Sequence, residues 1–171
     1  MTLSVIVPCY NEQDNIEPFY NEAVKAFDGL MCSYELIFIN DGSADKTIDK
    51  LRGLCALNYR PRVKVINFSR NFGKEAAIYA GLKECTGDYA VLIDADLQQR
   101  PEVACEMYRT LMKNPEYDCV TAYQKERSEG KVLIFFKNGF YRIINRIADT
   151  RFVSGASDFR MLNRTMINAV L

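Results

Sequence analysis

The chain has 171 residues, 49% hydrophobic and 26% charged, with 22 basic and 22 acidic side chains and a formal net charge of zero. That length suits one domain with a substantial core, the composition is that of a globular protein, and no apolar stretch is long enough to span a bilayer. Histidine is absent, which excludes a Ser-His-Asp triad, a His-ligated zinc site and an imidazole general base, so acid–base work falls to carboxylates.

Leu3 to Val7 is a short β-branched run ended by Pro8, and it predicts a first strand rather than a signal peptide. Asn15 to Phe27 follows with helical spacing of Ile16, Phe19, Tyr20, Ala23, Val24 and Phe27. Tyr34 to Ile39 predicts a second strand, closed by the turn Asn40-Asp41-Gly42-Ser43, and Asp45 is placed to cap a helix through Ile48, Leu51, Leu54 and Cys55. Val63 to Phe68 predicts a third strand. Lys74 to Glu84 predicts a helix whose Ala76, Ala77, Ala80 and Gly81 permit close packing, and Thr86-Gly87 stops it. Tyr89 to Ile93 is a continuously apolar strand, Pro101 opens a helix through Leu111, and Tyr117 to Ala122 predicts a fifth strand. This alternation specifies an α/β fold, a mostly parallel sheet with helices on both faces.

Beyond Lys125 the pattern changes. Lys131 to Ala148 predicts a basic amphipathic helix with Lys131, Asn138, Arg142, Asn145 and Arg146 along one side. Such a helix serves equally to pack on the sheet or to lie at a membrane interface. Residues 1–124 hold 13 basic and 18 acidic side chains, net −5, while residues 125–171 hold 9 and 4, net +5. The tail is therefore suited to an anion such as a phosphate or a membrane surface, or it is a solvated basic face. The six cysteines are scattered without a C-x-x-C pair and read as reduced, cytosolic packing residues. Asn168 to Leu171 stand inside an apparent helix, so a catalytic fragment that continues further is expected.

Asp94-Ala95-Asp96 directly follows the strand Tyr89 to Ile93, so two carboxylates emerge at the carboxyl end of a buried parallel strand, where open α/β sheets bind ligands. Two acids there repel unless a cation lies between them, and hard oxygen donors with Gln98 nearby suit Mg²⁺ or Mn²⁺ carrying a phosphate. The alternative is a strand-end turn with no ligand. In a doubly wound sheet, Pro8-Cys9-Tyr10-Asn11-Glu12, Asp41-Gly42-Ser43, Asn71-Phe72-Gly73-Lys74 and Asp94-Ala95-Asp96 converge on one rim. Together they offer acceptors for a base and ribose, a cation site for a diphosphate, and glycines for close backbone approach. Pro8, Tyr10, Asn11, Glu12, Asp41, Lys74, Asp94, Ala95 and Asp96 of these loops are thus candidates for holding a nucleotide, although each loop taken singly also reads as a plain strand end, turn or helix start.

The ordered segments SVIVPCYNE, INDGSADKT, SRNFGKEAAIYAGL, DYAVLIDADLQQRPE and SGASDFRMLNR cover nearly the whole chain. They resemble glycosyltransferase family 2 enzymes of the GT-A fold, in the branch of dolichyl-phosphate mannosyltransferases and bacterial polyprenyl-phosphate glycosyltransferases. The resemblance implies one GT-A catalytic domain over residues 1–171, with 1–124 as its nucleotide-binding half and 125–171 as its acceptor-side half. It implies that Pro8, Tyr10, Asn11, Glu12 and Asp41 hold the nucleoside, that Asp94 lies by the ribose or sugar, and that Asp96 and Gln98 hold Mg²⁺ or Mn²⁺ on the diphosphate. Where the family often carries His-Pro-Pro after this glutamine, the chain reads Gln99-Arg100-Pro101. Asp158 matches the family's candidate base, catalytic together with Asp96, and Arg160, Arg127 and Arg142 are candidates for an acceptor phosphate.

The expected activity is inverting, metal-dependent transfer of a hexose from a UDP-linked donor to polyprenyl phosphate at the cytoplasmic membrane face, with no nucleic-acid partner. Transfer to a sugar hydroxyl in a polysaccharide is the second expectation, with Asp158 as a true base. A non-catalytic nucleotide-binding or phosphoacceptor α/β module is a third, although it has no need of the NDGS and SDFR segments.

Overall fold

The computed structural model describes residues 1–57, 61–123 and 156–171. Its strands are β1 (Thr2–Cys9), β2 (Ser33–Asn40), β3 (Arg62–Asn67), β4 (Tyr89–Leu92), β5 (Cys119–Tyr123) and β6 (Ala156–Asn163). Its helices among the described residues are α1 (Ile16–Phe27), α2 (Thr47–Cys55), α3 (Lys74–Glu84), α4 (Pro101–Lys113) and α5 (Arg164–Val170). The expected helix over Lys131 to Ala148 lies outside the described residues. Two compact units divide the chain: residues 1–121 with 158–171, and residues 122–157. The last fourteen residues belong to the first unit.

The strand order is β3-β2-β1-β4-β6-β5. β1 pairs parallel with β2 and with β4, and β2 pairs parallel with β3. β6 runs antiparallel to β4. The chain builds outward from β1 to β3 and then crosses back to lay β4 on β1's other side. The carboxyl ends of β1 and β4 therefore flank the switch point where open α/β sheets form a crevice.

Alternation along the central strands assigns the two faces. Ile6, Ile37, Ile39, Ala90 and Leu92 pack in one core with Ala77 and Leu82 of α3, Leu162 of β6 and Ile167 of α5. On the opposite face Phe38 meets Phe19 of α1 edge to face, with centroids 6.0 Å apart, and the Cys105 thiol of α4 lies 3.5 Å from the Ala26 carbonyl. These central strands are continuously apolar because both faces are covered. At Gly81 a Cβ would come within 2.4 Å of Ile6 Cγ2, so the missing side chain sets the close approach of α3 to β1.

The amino-terminal edge is fastened by Glu35 of β2, 3% exposed. Its Oε1 accepts from the Ser4 hydroxyl, the Thr86 N–H and the Thr86 hydroxyl at 2.7 to 2.9 Å, tying the β4 approach to β1 and β2. The Arg164 guanidinium at the start of α5 donates to the Gly87 carbonyl of the same turn.

β6 is absent from the sequence expectations. Its residues Asp158, Arg160 and Asn163 interrupt the apolar run, yet Phe159, Met161 and Leu162 are buried against the sheet. Its register, Leu92 opposite Arg160 and Val91 opposite Met161, brings Asp158 alongside the end of β4.

Candidate active site at the carboxyl ends of β1 and β4

A cavity of about 330 Å³ opens at the switch point. It is lined by Pro8, Cys9, Tyr10 and Glu12 after β1, Asp41 after β2, Asn71, Gly73, Lys74 and Ala77 around the start of α3, and Asp94, Ala95 and Asp96 after β4. The four expected loops do converge. Eight of the nine donor candidates, all but Asn11, line this cavity.

Asn11 instead braces it. At φ 56° its backbone turns back, its N–H donates to the Ser43 hydroxyl at 2.9 Å, and its side-chain oxygen accepts from the Ala44 N–H at 2.9 Å. The Glu12 N–H donates to the Thr47 hydroxyl, and the Gln13 N–H to Asp45. The loop after β1 is thereby laced to the segment leading into α2, where Asp45 also accepts from the Thr47 N–H.

Asp41 is 3% exposed and its two carboxylate oxygens are already engaged. Oδ1 accepts the Phe72 N–H at 2.7 Å and Oδ2 the Gly73 N–H at 2.9 Å. This charge-assisted pair fixes the turn into α3. Gly42, at φ 65°, must be glycine: a Cβ there would lie 2.2 Å from the Arg70 carbonyl carbon. Phe72 closes the loop's outer side, packing edge to face on Phe68 and beneath the Arg70 guanidinium.

Lys74, the first residue of α3, reaches across the rim. Its Nζ stands 2.8 Å from Asp94 Oδ1, 2.9 Å from Oδ2 and 3.3 Å from Asp158 Oδ2. Burial works to lower the Lys74 ammonium, but the hydrogen bond and charge of Asp94, and then Asp158, outweigh it and hold the group above its ordinary value. Arg160 lies 3.8 Å from the other Asp158 oxygen. Burial pushes the Cys9 thiol far up, and Glu12 and Asp94 push it further, which favours the protonated thiol in the cavity wall.

Gln99 is the residue that sequence reasoning missed. Its Oε1 accepts the Asp94 N–H at 3.0 Å and its Nε2 donates to Asp94 Oδ2 at 3.1 Å, a two-point clasp that fixes the carboxylate. The turn that returns Gln99 to Asp94 passes through Leu97 at φ 60°. Gln98, the expected metal ligand, is exposed and does not line the cavity; its backbone N–H donates to Asp96 Oδ1 at 3.0 Å.

Among the described residues no three acidic or thiol groups gather closely enough to make a metal site by themselves. The donor set nevertheless suits Mg²⁺ or Mn²⁺, which bind through one or two carboxylates with the remaining positions left to water and phosphate oxygens. Asp94 is paired with Lys74, whereas Asp96, like Glu12 and Asp41 of the same cavity, has no cationic partner among the described residues; Glu12 accepts from Asn15 Nδ2 and Asp41 from two backbone N–H groups, and Asp96 accepts only the Gln98 N–H among them.

A second cavity of about 340 Å³ adjoins the first through Lys74, between α3, β6 and α5. Asp158 and Arg160 line it together with the apolar Ile78, Leu82, Leu92 and Leu162. The other two acceptor candidates, Arg127 and Arg142, lie outside the described residues. No helix among the described residues is long and apolar enough to cross a membrane.

Among solved structures, a mannosyltransferase from Pyrobaculum calidifontis in complex with GDP-Man and Mn²⁺ superposes with a TM-score of 0.71 at 21% identity, over 98% of this chain and 46% of that one. Glucosyl-3-phosphoglycerate synthase from Mycobacterium tuberculosis in complex with UDP gives 0.65 at 20% identity, over 96% and 57%. The fold is that of GT-A glycosyltransferases. The putative glycosyltransferase CsbB of Bacillus subtilis is 37% identical over 169 residues, covering 99% of this chain and 50% of CsbB. The bactoprenol glucosyl transferase of Shigella phage SfX is 34% identical over 172 residues, covering 99% and 55%. The chain spans about half the length of these curated relatives. The model of the family described as glycosyl transferase family 2 matches residues 4–171, and the chain accordingly belongs to that family.

Proposed function

We propose that this domain catalyses inverting transfer of a hexose from a nucleotide-diphospho-sugar, UDP-linked, to polyprenyl phosphate at the cytoplasmic membrane face. The observation that carries the reading is the rim itself: carboxylates Asp94 and Asp96 at the switch-point cavity, with Asp94 joined through Lys74 to Asp158 of a neighbouring strand, where Arg160 lies 3.8 Å from Asp158. The bactoprenol glucosyl transferase likeness, which extends over nearly the whole chain, supports the lipid-phosphate acceptor.

The donor's nucleoside lies along Pro8, Tyr10 and Glu12, with Asp41 shaping the loop beside it, and its diphosphate lies toward Asp96. Mg²⁺ or Mn²⁺ bound at Asp96 supplies charge stabilisation for the departing diphosphate. The acceptor oxygen attacks the anomeric carbon from the side opposite the diphosphate; the new C–O bond forms as the old one breaks, and its electron pair leaves on the nucleoside diphosphate. A phosphate monoester with a second pKa near ~6 arrives largely ionised at neutral pH, so Asp158 orients the acceptor rather than deprotonating it. Arg160 pairs with the acceptor phosphate. A hydroxyl acceptor would instead pass its proton to Asp158.

The test is transfer by the whole protein from labelled UDP-hexose and GDP-hexose to undecaprenyl phosphate with Mn²⁺. The expected product is an organic-soluble sugar lipid from UDP-hexose, with Asp96→Ala lowering its formation about 100-fold. A labelled oligosaccharide with no lipid product would shift the reading to the hydroxyl acceptor. No transfer to either acceptor would overturn it.

A further inference from the structure

Resting on that reading of the site, we propose that Lys74 is a positioning residue: its ammonium holds Asp158 against Asp94, and so sets the acceptor-side carboxylate relative to the donor cavity. The register of β4 and β6 supplies the reason such a cation is needed. The antiparallel ladder ends at the pair Leu92 and Arg160, and beyond it the chains carry Asp94 and Asp158 to the open rim, where both carboxylates lie against the same ammonium. Like charges brought close together repel, so these two carboxylates would splay β6 from the end of β4 at the rim. The Lys74 ammonium answers this by contacting both, at 2.8 and 2.9 Å on Asp94 and 3.3 Å on Asp158.

The anchoring is one-sided. Asp94 is clasped by Gln99 through both its N–H and its carboxylate. Lys74 is presented at a fixed point, because Asp41 holds the two preceding N–H groups, those of Phe72 and Gly73. Among the described residues Asp158 has no comparable support: its side chain is 63% exposed, and Arg160 at 3.8 Å is beyond hydrogen-bonding distance. Order thus passes from Gln99 to Asp94 to Lys74 to Asp158. Of the three N–H donors of the ammonium, one goes to Asp94 Oδ2 and one to Asp158 Oδ2, with Asp94 Oδ1 in ion-pair contact at 2.8 Å. Lys74 lines both cavities and stands where they meet, so the placement it gives Asp158 falls at the junction of donor and acceptor.

Two measurements test this. In the nucleotide-free protein, ¹⁵N NMR at Lys74 Nζ is expected to show titration above the ordinary value of 10.5, falling back toward it in Asp158→Asn. Kinetically, Lys74→Met is expected to lower kcat about 100-fold while metal-dependent UDP affinity stays within about threefold, with Lys74→Arg recovering part of the loss. Combined with Asp158→Asn, Lys74→Met is expected to add little further loss, as residues acting as one unit do. An ordinary Lys74 titration indifferent to Asp158→Asn would overturn the proposal without any reference to the reaction. So would a Lys74→Met loss that appears mainly in UDP affinity and adds in full to Asp158→Asn, which would make Lys74 a donor ligand. If the NMR bridge is present and the wild type binds no nucleotide, the functional reading fails and the bridge stands.

Discussion

Three aspartates of the rim carry the same charge and are put to different uses by their partners. Asp41 faces two backbone N–H groups and is structural, Asp94 faces an ammonium and a glutamine, and Asp96 faces one N–H and the cavity. Asp41→Asn replaces one accepting oxygen with an NH₂ that confronts a backbone donor, leaving that donor unsatisfied at a cost of about 1–3 kcal/mol. The loop at residues 71–73 is then expected to loosen, lowering the thermal midpoint and weakening nucleoside diphosphate binding about tenfold by titration. Unchanged stability with unchanged affinity would remove Asp41 from the frame of the site.

Much of the architecture was legible from the elements. Apolar runs ended by Pro8, by the Asp41-Gly42 turn and by Asp94 marked strands, and the α3 sequence with its small residues announced close packing that Gly81 delivers. β6 was hidden because its identity as a strand depends on partners far away in sequence: Asp158 and Arg160 are polar where the rim opens, and only pairing with β4 shows why. Missing β6 concealed the meeting of Asp94 and Asp158 at one ammonium. Gln99 escaped for a related reason, since a left-handed residue at Leu97 turns it back onto Asp94 and spacing does not reveal that.

Glu35 shows the same dependence on pairing at the sheet's other end. Burial pushes its carboxyl up, but hydrogen bonds from Ser4 and Thr86 and the charge of Lys64 outweigh burial, and the group is held below the ordinary 4.5. A depressed folded value means stabilisation that is complete above about the ordinary value and is lost as pH falls through the folded one. Chemical denaturation is expected to show wild-type stability declining on acidification below that point. Glu35→Ala, which leaves the buried Ser4 hydroxyl and the Thr86 donors without their acceptor, is expected to lose about 1–3 kcal/mol at pH 7 and to show a shallower acid decline. Parallel acid profiles for the two proteins would contradict this account of the clamp.

Across the whole molecule, charge and topology point the same way. The first 124 residues are net negative and the last 47 net positive, so acids that call for a cation and bases that suit an anion are drawn from different parts of one chain. The chain belongs to glycosyl transferase family 2, and the proposed function places its chemistry at the switch point. In that proposed function, what joins the two is a cation held at the end of β4 that in turn holds a diphosphate. Calorimetric titration with UDP, run with Mn²⁺, with EDTA, and with Asp96→Ala in Mn²⁺, addresses that link directly. UDP is expected to bind at least about tenfold more tightly with Mn²⁺ than with EDTA, and Asp96→Ala to abolish the difference. Equal affinity in all three titrations would contradict it.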